Sequence, residues 1–135
     1  MASELRVNTL KDASGNNSVA MQYVAEGTTK AWINMNGTGT IATRDSLNIS
    51  SITDDGTGDY ITTVTSAFNN VNYSIVGNCA PNYGVKFGIG FQIMHRDSSF
   101  EQANTTTTQQ FQTVDVAETI FDSKHITHNL HGDLA

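Results

Sequence analysis

Three histidines near the C-terminal end, His125, His128 and His131, offer the clearest metal chemistry in the chain. Neutral imidazoles ligate transition metals. Spaced by three, they share a face on a helical turn but fall on alternate faces of a strand. The competing reading is a polar terminal tail in which the histidines are incidental. A second stretch, Asp54-Asp55-Gly56-Thr57-Gly58-Asp59, has the oxygen-rich, sharply turning character that calcium needs. It lacks the distal bidentate glutamate of an EF-hand loop, and a plain hairpin turn is the favoured reading.

Other chemistry is thinner. Asp45, Asp54, Asp55, Asp59 and Glu101 include carboxylates that a hydrolase pair could use, as any acidic chain does. Serines near His95 and Asp97 form no recognisable nucleophile motif. Gly37-Thr38-Gly39 and Gly88-Ile89-Gly90 are followed by no helical pattern, so no helix N-terminus is offered to a phosphate. Trp32, Tyr23, Tyr60, Tyr73 and Tyr83 could stack on sugars, although aromatics in a β protein more often serve a core or an interface. Cys79 is the one cysteine and cannot form an intrachain bridge. With no basic residue close in sequence, a buried structural thiol is expected.

The elements that must carry these residues read as strands. Leu5–Leu10 and Val19–Val24 are β-like runs separated by the turn-forming stretch Asp12–Asn17. Ala31, Ile33 and Met35 alternate with Trp32 and Asn34, which predicts a strand with one buried face and Trp32 on the other. Asn36-Gly37 is a type I′ hairpin signal. Further strands are expected at Thr40–Thr43, Leu47–Ile52, Tyr60–Thr65, Val71–Ile75 and Phe111–Ile120. The cleanest alternation is Val85, Phe87, Ile89, Phe91, Ile93, with Gly88 and Gly90 on the opposite face, where another backbone can approach. Asp97–Gln110 reads as a long polar loop or hairpin. The predicted fold is all-β: an antiparallel β-sandwich, jelly-roll-like, with little or no helix. The expected organisation is an N-terminal strand and attachment segment over 1–18, the sandwich over 19–121, and a polar, histidine-containing tail over 122–135.

Composition narrows the function. The 135 residues fit one domain. Thirteen Asp and Glu against seven Lys and Arg, with no basic cluster, argue against nucleic acid and anionic lipid as partners. No apolar run is long enough to span a bilayer, and the opening Met1-Ala2-Ser3-Glu4 is polar at once, so neither membrane insertion nor a secretory leader is expected. Charged residues make up 15%, with Ser, Thr and Asn in their place, a surface suited to long-lived β assemblies.

One block carries a resemblance. Ala31-Trp32-Ile33-Asn34, Asn36-Gly37-Thr38-Gly39-Thr40, Arg44-Asp45-Ser46, Ser50-Ser51-Ile52-Thr53-Asp54, Asp55-Gly56-Thr57-Gly58-Asp59-Tyr60 and Asn72-Tyr73-Ser74 resemble a module of tail-fibre and other virion-appendage proteins of tailed bacteriophages, especially marine ones. The opening Ser3–Leu10 and Asp12-Ala13-Ser14-Gly15 are also similar to the start of such proteins. The resemblance implies a virion structural protein, assembled in the host cytoplasm as a homo-oligomer, most simply a trimer. It contacts other virion proteins and can meet a host-surface glycan. Leu5, Val7, Trp32, Gly88 and Gly90 are the expected oligomer contacts. No enzyme activity and no cofactor are expected; calcium or a transition metal is what the aspartate loop and the histidines would take. The alternatives are a capsid decoration or head-fibre protein, and, from another class, a carbohydrate-binding module.

Overall fold

Strand β3 (Thr29–Asn36) shows how the sequence builds the fold. Its burial alternates residue by residue: Ala31, Ile33 and Met35 are buried, and Lys30, Trp32, Asn34 and Asn36 are partly exposed. That two-residue period commits one face of the strand to the core. The computed structural model describes residues 3, 5–80, 89–92, 104–115 and 119–135, with the backbone alone at 89–92 and 115.

Ahead of β3 come β1 (Thr9–Lys11), β2 (Ser18–Ala20) and helix α1 (Met21–Gly27). After it follow β4 (Ala42–Leu47), β5 (Ile49–Gly56), β6 (Asp59–Val64), β7 (Ser74–Ala80), β8 (Ile89–Gln92), β9 (Thr108–Asp115) and β10 (His125–His131). Two four-stranded sheets result, ordered β4-β3-β10-β7 and β5-β6-β9-β8, with every neighbouring pair antiparallel. The core lies between them. Ile33, Met35, Cys79 and Ile126 from the first sheet meet Tyr60 and Phe111 from the second. A smaller cluster joins Ala31 and Leu130 to Val64 and Phe68. Each fully buried side chain of this size contributes roughly 1.5–3 kcal/mol. The architecture is an antiparallel β-sandwich with the strand count of a jelly roll, as the alternation predicts.

Asn48 turns the chain from one sheet to the other. It adopts φ 56°, in the left-handed region. Its own side chain holds that geometry: Ser66 N donates to Asn48 Oδ1 at 2.7 Å, and Asn48 Nδ2 donates to Ser66 O at 3.2 Å. Thr65 N adds a bond to Asn48 O at 3.1 Å. The corner between β4 and β5 is therefore fastened to the end of β6.

A second fastening gathers three connections around the Tyr60 hydroxyl. It sits 3.0 Å from Gly37 O, after β3, and 3.1 Å from Asp122 Oδ1, before β10. Gly58 N, in the β5–β6 turn, donates to the same Asp122 oxygen at 2.7 Å. Gly37 N donates to Ser123 O at 2.8 Å. A Cβ on Gly37 would lie 2.4 Å from the Tyr60 oxygen, so this glycine is required by close approach.

The structure corrects several sequence expectations. Residues 122–135 are not a tail: β10 is a central strand, hydrogen-bonded to β3 on one side and β7 on the other. Its buried side chains, Ile126, His128 and Leu130, alternate, which makes it a core strand despite its polar composition. The run Val19–Val24 is split, with β2 ending at Ala20 and α1 beginning at Met21. Of Leu5–Leu10, Thr9 and Leu10 alone are strand. Asn36-Gly37 does not make a type I′ turn: β3 and β4 are joined by residues 37–41, and the positive φ falls on Gly39 at 64°. The hairpin at Asp54–Gly58 forms as expected, with Gly56 and Gly58 at φ 142° and 64°. Of the alternating run Val85–Ile93, Ile89–Gln92 form β8; the rest, with Gly88, lies outside the described residues.

Candidate functional site

The three histidines do not converge. On β10, His128 faces the core and is fully buried, while His125 and His131 belong to the opposite, outer face. Six residues of strand separate those two by about 20 Å. Among the described residues no group of three His, Cys, Asp or Glu side chains is placed to hold a metal. His128 instead packs against Phe111, with ring centroids 4.9 Å apart. Burial pushes its pKa down to about 4, so the ring is neutral at pH 7.

The aspartate stretch separates in a similar way. Asp59 is buried, and its carboxylate is bound by two amides from β9: Gln110 Nε2 donates to Oδ1 at 2.9 Å and Gln112 Nε2 to Oδ2 at 3.0 Å. Asp54 accepts from Gly56 N at 3.2 Å, the side-chain-to-backbone bond of an Asx turn. These contacts account for the loop as a hairpin. The glutamine clasp was not legible in advance, because Gln110 and Gln112 lie over fifty residues away on another strand.

Cys79 is buried in the core, and burial pushes its thiol up to about 11, far from a nucleophile's range. The aromatics scatter. Tyr60 is fully buried. Burial, and then the neighbouring Asp122 carboxylate, raise its phenol well above the usual value. Tyr73 stacks on Phe68 at 4.4 Å, and its hydroxyl lies 3.0 Å from Thr105 O. Tyr23 is 71% exposed, on α1. Tyr83, His95, Asp97 and Glu101 lie outside the described residues.

Among the described residues, two surfaces carry exposed large apolar side chains. The first is the N-terminal segment. None of residues 5–27 for which burial is described is buried, and α1 has no buried residue and no capping side chain. Leu5 is 81% exposed, and Val7, Leu10, Val19 and Tyr23 are also exposed. A concavity of about 290 Å³ lies between Leu10 and Val19 on the β1–β2 ribbon. Leu5 and Val7, two expected oligomer contacts, are therefore apolar and open.

The second surface is the outer face of sheet β4-β3-β10-β7. Trp32 stands at its centre. The register places Leu47, Trp32, Asn129 and Val76 in one row across the four strands. Asp45, Asn34, Thr127 and Asn78 form the next row. Beside it, a depression of about 210 Å³ is lined by Asn78, Cys79, Ala80, His125 and Thr127. Leu47 and Val76 are exposed, and Trp32 is partly so. Arg44, at the margin, donates from Nη2 to Lys124 O at 2.6 Å and from Nη1 to Met35 O and to Asn34 Oδ1, the last at 3.3 Å. Gly90, a further expected contact, lies on β8, an edge strand of the other sheet, opposite Val114.

No family model matches the chain. No curated protein matches it. Among solved structures, it is similar to the phiAB6 tailspike, crystallised in complex with three-repeated oligosaccharides of Acinetobacter baumannii surface polysaccharide. The identity is 15% and the TM-score 0.50, over 93% of this chain and 23% of the tailspike. This chain thus shares the fold of a part of a phage tailspike, and spans about a quarter of its length.

Proposed function

We propose that this chain is a structural module of a bacteriophage surface appendage, a homo-oligomer whose work is assembly and adhesion rather than turnover. The observation that carries the reading is the N-terminal segment. A seven-residue helix and two three-residue strands are too short to persist in water without packing. Here they bury none of the side chains described for them, and they carry exposed Leu10, Val19 and Tyr23, next to exposed Leu5 and Val7. Such a segment gains its stability from a partner.

Charge favours further copies of the same chain as that partner. In residues 1–30, Arg6, Lys11 and Lys30 balance Glu4, Asp12 and Glu26, so the net charge of −6 resides entirely in residues 31–135. Like-charged sandwiches repel one another, whereas the neutral apolar segments do not. A trimer is the order that the appendage resemblance implies. The likeness of fold to part of a tailspike supports the setting.

Gold-labelled antibody against this chain, applied to purified particles, tests the role. Label on a tail appendage is the expected result. Label on the head would move the protein to a decoration role, and particles without label would contradict the proposal.

A further inference from the structure

We infer that the outer face of sheet β4-β3-β10-β7 is a binding site for a neutral saccharide, with Trp32 as its stacking platform. The inference deepens the appendage reading and rests on it for its biological setting. Three features of the face argue for this ligand class. The first is composition. Around the indole, the central strands present the carboxamides of Asn34 and Asn129 and the hydroxyl of Thr127, with Asn78 on the adjacent strand. Carboxamides and hydroxyls donate and accept at once, as sugar hydroxyls do. An aromatic face takes the apolar C–H side of a pyranose ring.

The second feature is shape. Strands about 4.8 Å apart carry the two rows across a face roughly 14 Å wide, and alternate residues along each strand repeat at about 6.6 Å. This grid has room for a short oligosaccharide, and the depression lined by Asn78 and Thr127 gives it a recessed end. The third is charge. Arg44 is committed to two backbone carbonyls and to Asn34 Oδ1 at 3.3 Å, Lys30 Nζ to the Thr28 hydroxyl at 2.5 Å, and Asp45 Oδ1 accepts from Ser46 N at 2.9 Å. These three groups already have partners, and the row Leu47, Trp32, Asn129, Val76 carries no charge. An acidic sugar would find no free cation among these side chains.

Trp32 is the single tryptophan of the chain, so its fluorescence reports on this face alone. The test titrates the full chain with galactose-, glucose- and N-acetylglucosamine-based di- and trisaccharides, and with 3′-sialyllactose. At least one neutral saccharide is expected to give a saturable blue shift in the millimolar range, with sialyllactose at least fivefold weaker. Asn129→Ala and Asn34→Ala are expected to weaken that response at least fivefold while the melting temperature stays near that of the parent. The inference is overturned if no neutral saccharide moves the emission, or if both variants respond like the parent. It is also overturned if emission shifts with protein concentration in the absence of sugar, since a second copy would then cover the face. Failure here leaves the labelling result on particles untouched. Failure of the appendage reading would leave sugar binding intact in a free-standing module.

Discussion

His128 shows how one residue can look like a ligand and serve as core. Its ring is enclosed between the sheets against Phe111, and desolvation holds its pKa near 4 rather than 6.5. The folded state therefore binds fewer protons than the unfolded state at mildly acid pH. The stabilisation from the neutral ring is complete above pH 6.5 and is lost as pH falls from there towards 4. The loss amounts to about 3 kcal/mol at its limit. Thermal melts across this window should show a fall in stability that is absent in His128→Leu. An unchanged pH profile in that variant would contradict the account. Asp12 acts lower on the scale: Asn17 Nδ2, donating at 2.6 Å, is the first cause of its lowered pKa, so any loss there begins as pH falls through the ordinary carboxylate range and is completed below it. The Tyr60 hydroxyl is the other residue on which much rests. Tyr60→Phe keeps the ring packing and removes the contacts to Gly37 O and Asp122 Oδ1. A loss of about 1–3 kcal/mol is expected from urea unfolding, because the one proton that the two acceptors share is lost in a buried place.

At the scale of elements, β3 could be read from sequence because its buried face is wholly apolar. Ala31, Ile33 and Met35 gave β3 directly, and the hairpin of β5 and β6 was marked by its glycines. Strand β10 was hidden because the middle position of its core face is a histidine. Ile126 and Leu130 alone, four apart, fit a helix as well as a strand. Helix α1 gave no signal, having neither a cap nor an apolar stripe that buries. The sites were less legible than the strands. The Asp59 clasp and the Asp122 fastening each join segments over fifty residues apart, and no local pattern announces them. Gly58 tests the second. It has φ 64°, and a Cβ there would lie 2.7 Å from Phe121 O, which is backbone and cannot swing aside. Gly58→Ala should destabilise the sandwich by more than about 1 kcal/mol, read as a lower denaturation midpoint with unchanged slope. A neutral result would mean that the β9–β10 connection does not hold this turn.

At the scale of the molecule, the chain joins a sandwich with a buried core to an N-terminal segment that buries none of its described side chains. The core clusters draw on both sheets, and none of them includes a residue before Ala31. Deleting residues 1–28 should therefore leave the melting temperature of the sandwich within a few degrees of the full chain at low concentration. Calorimetry on the full and shortened chains checks this, and a collapse of the sandwich would place residues 1–28 in the fold itself. The same deletion should abolish self-association. The most direct test of the central claim is the mass of the full chain in solution, by multi-angle light scattering over a wide concentration range. A mass of three times the 14.6 kDa chain, falling to one chain mass when residues 1–28 are removed, is the expected result. A full-length protein that remains at 14.6 kDa at high concentration would contradict the claim that its N-terminal segment is built to meet its own copies.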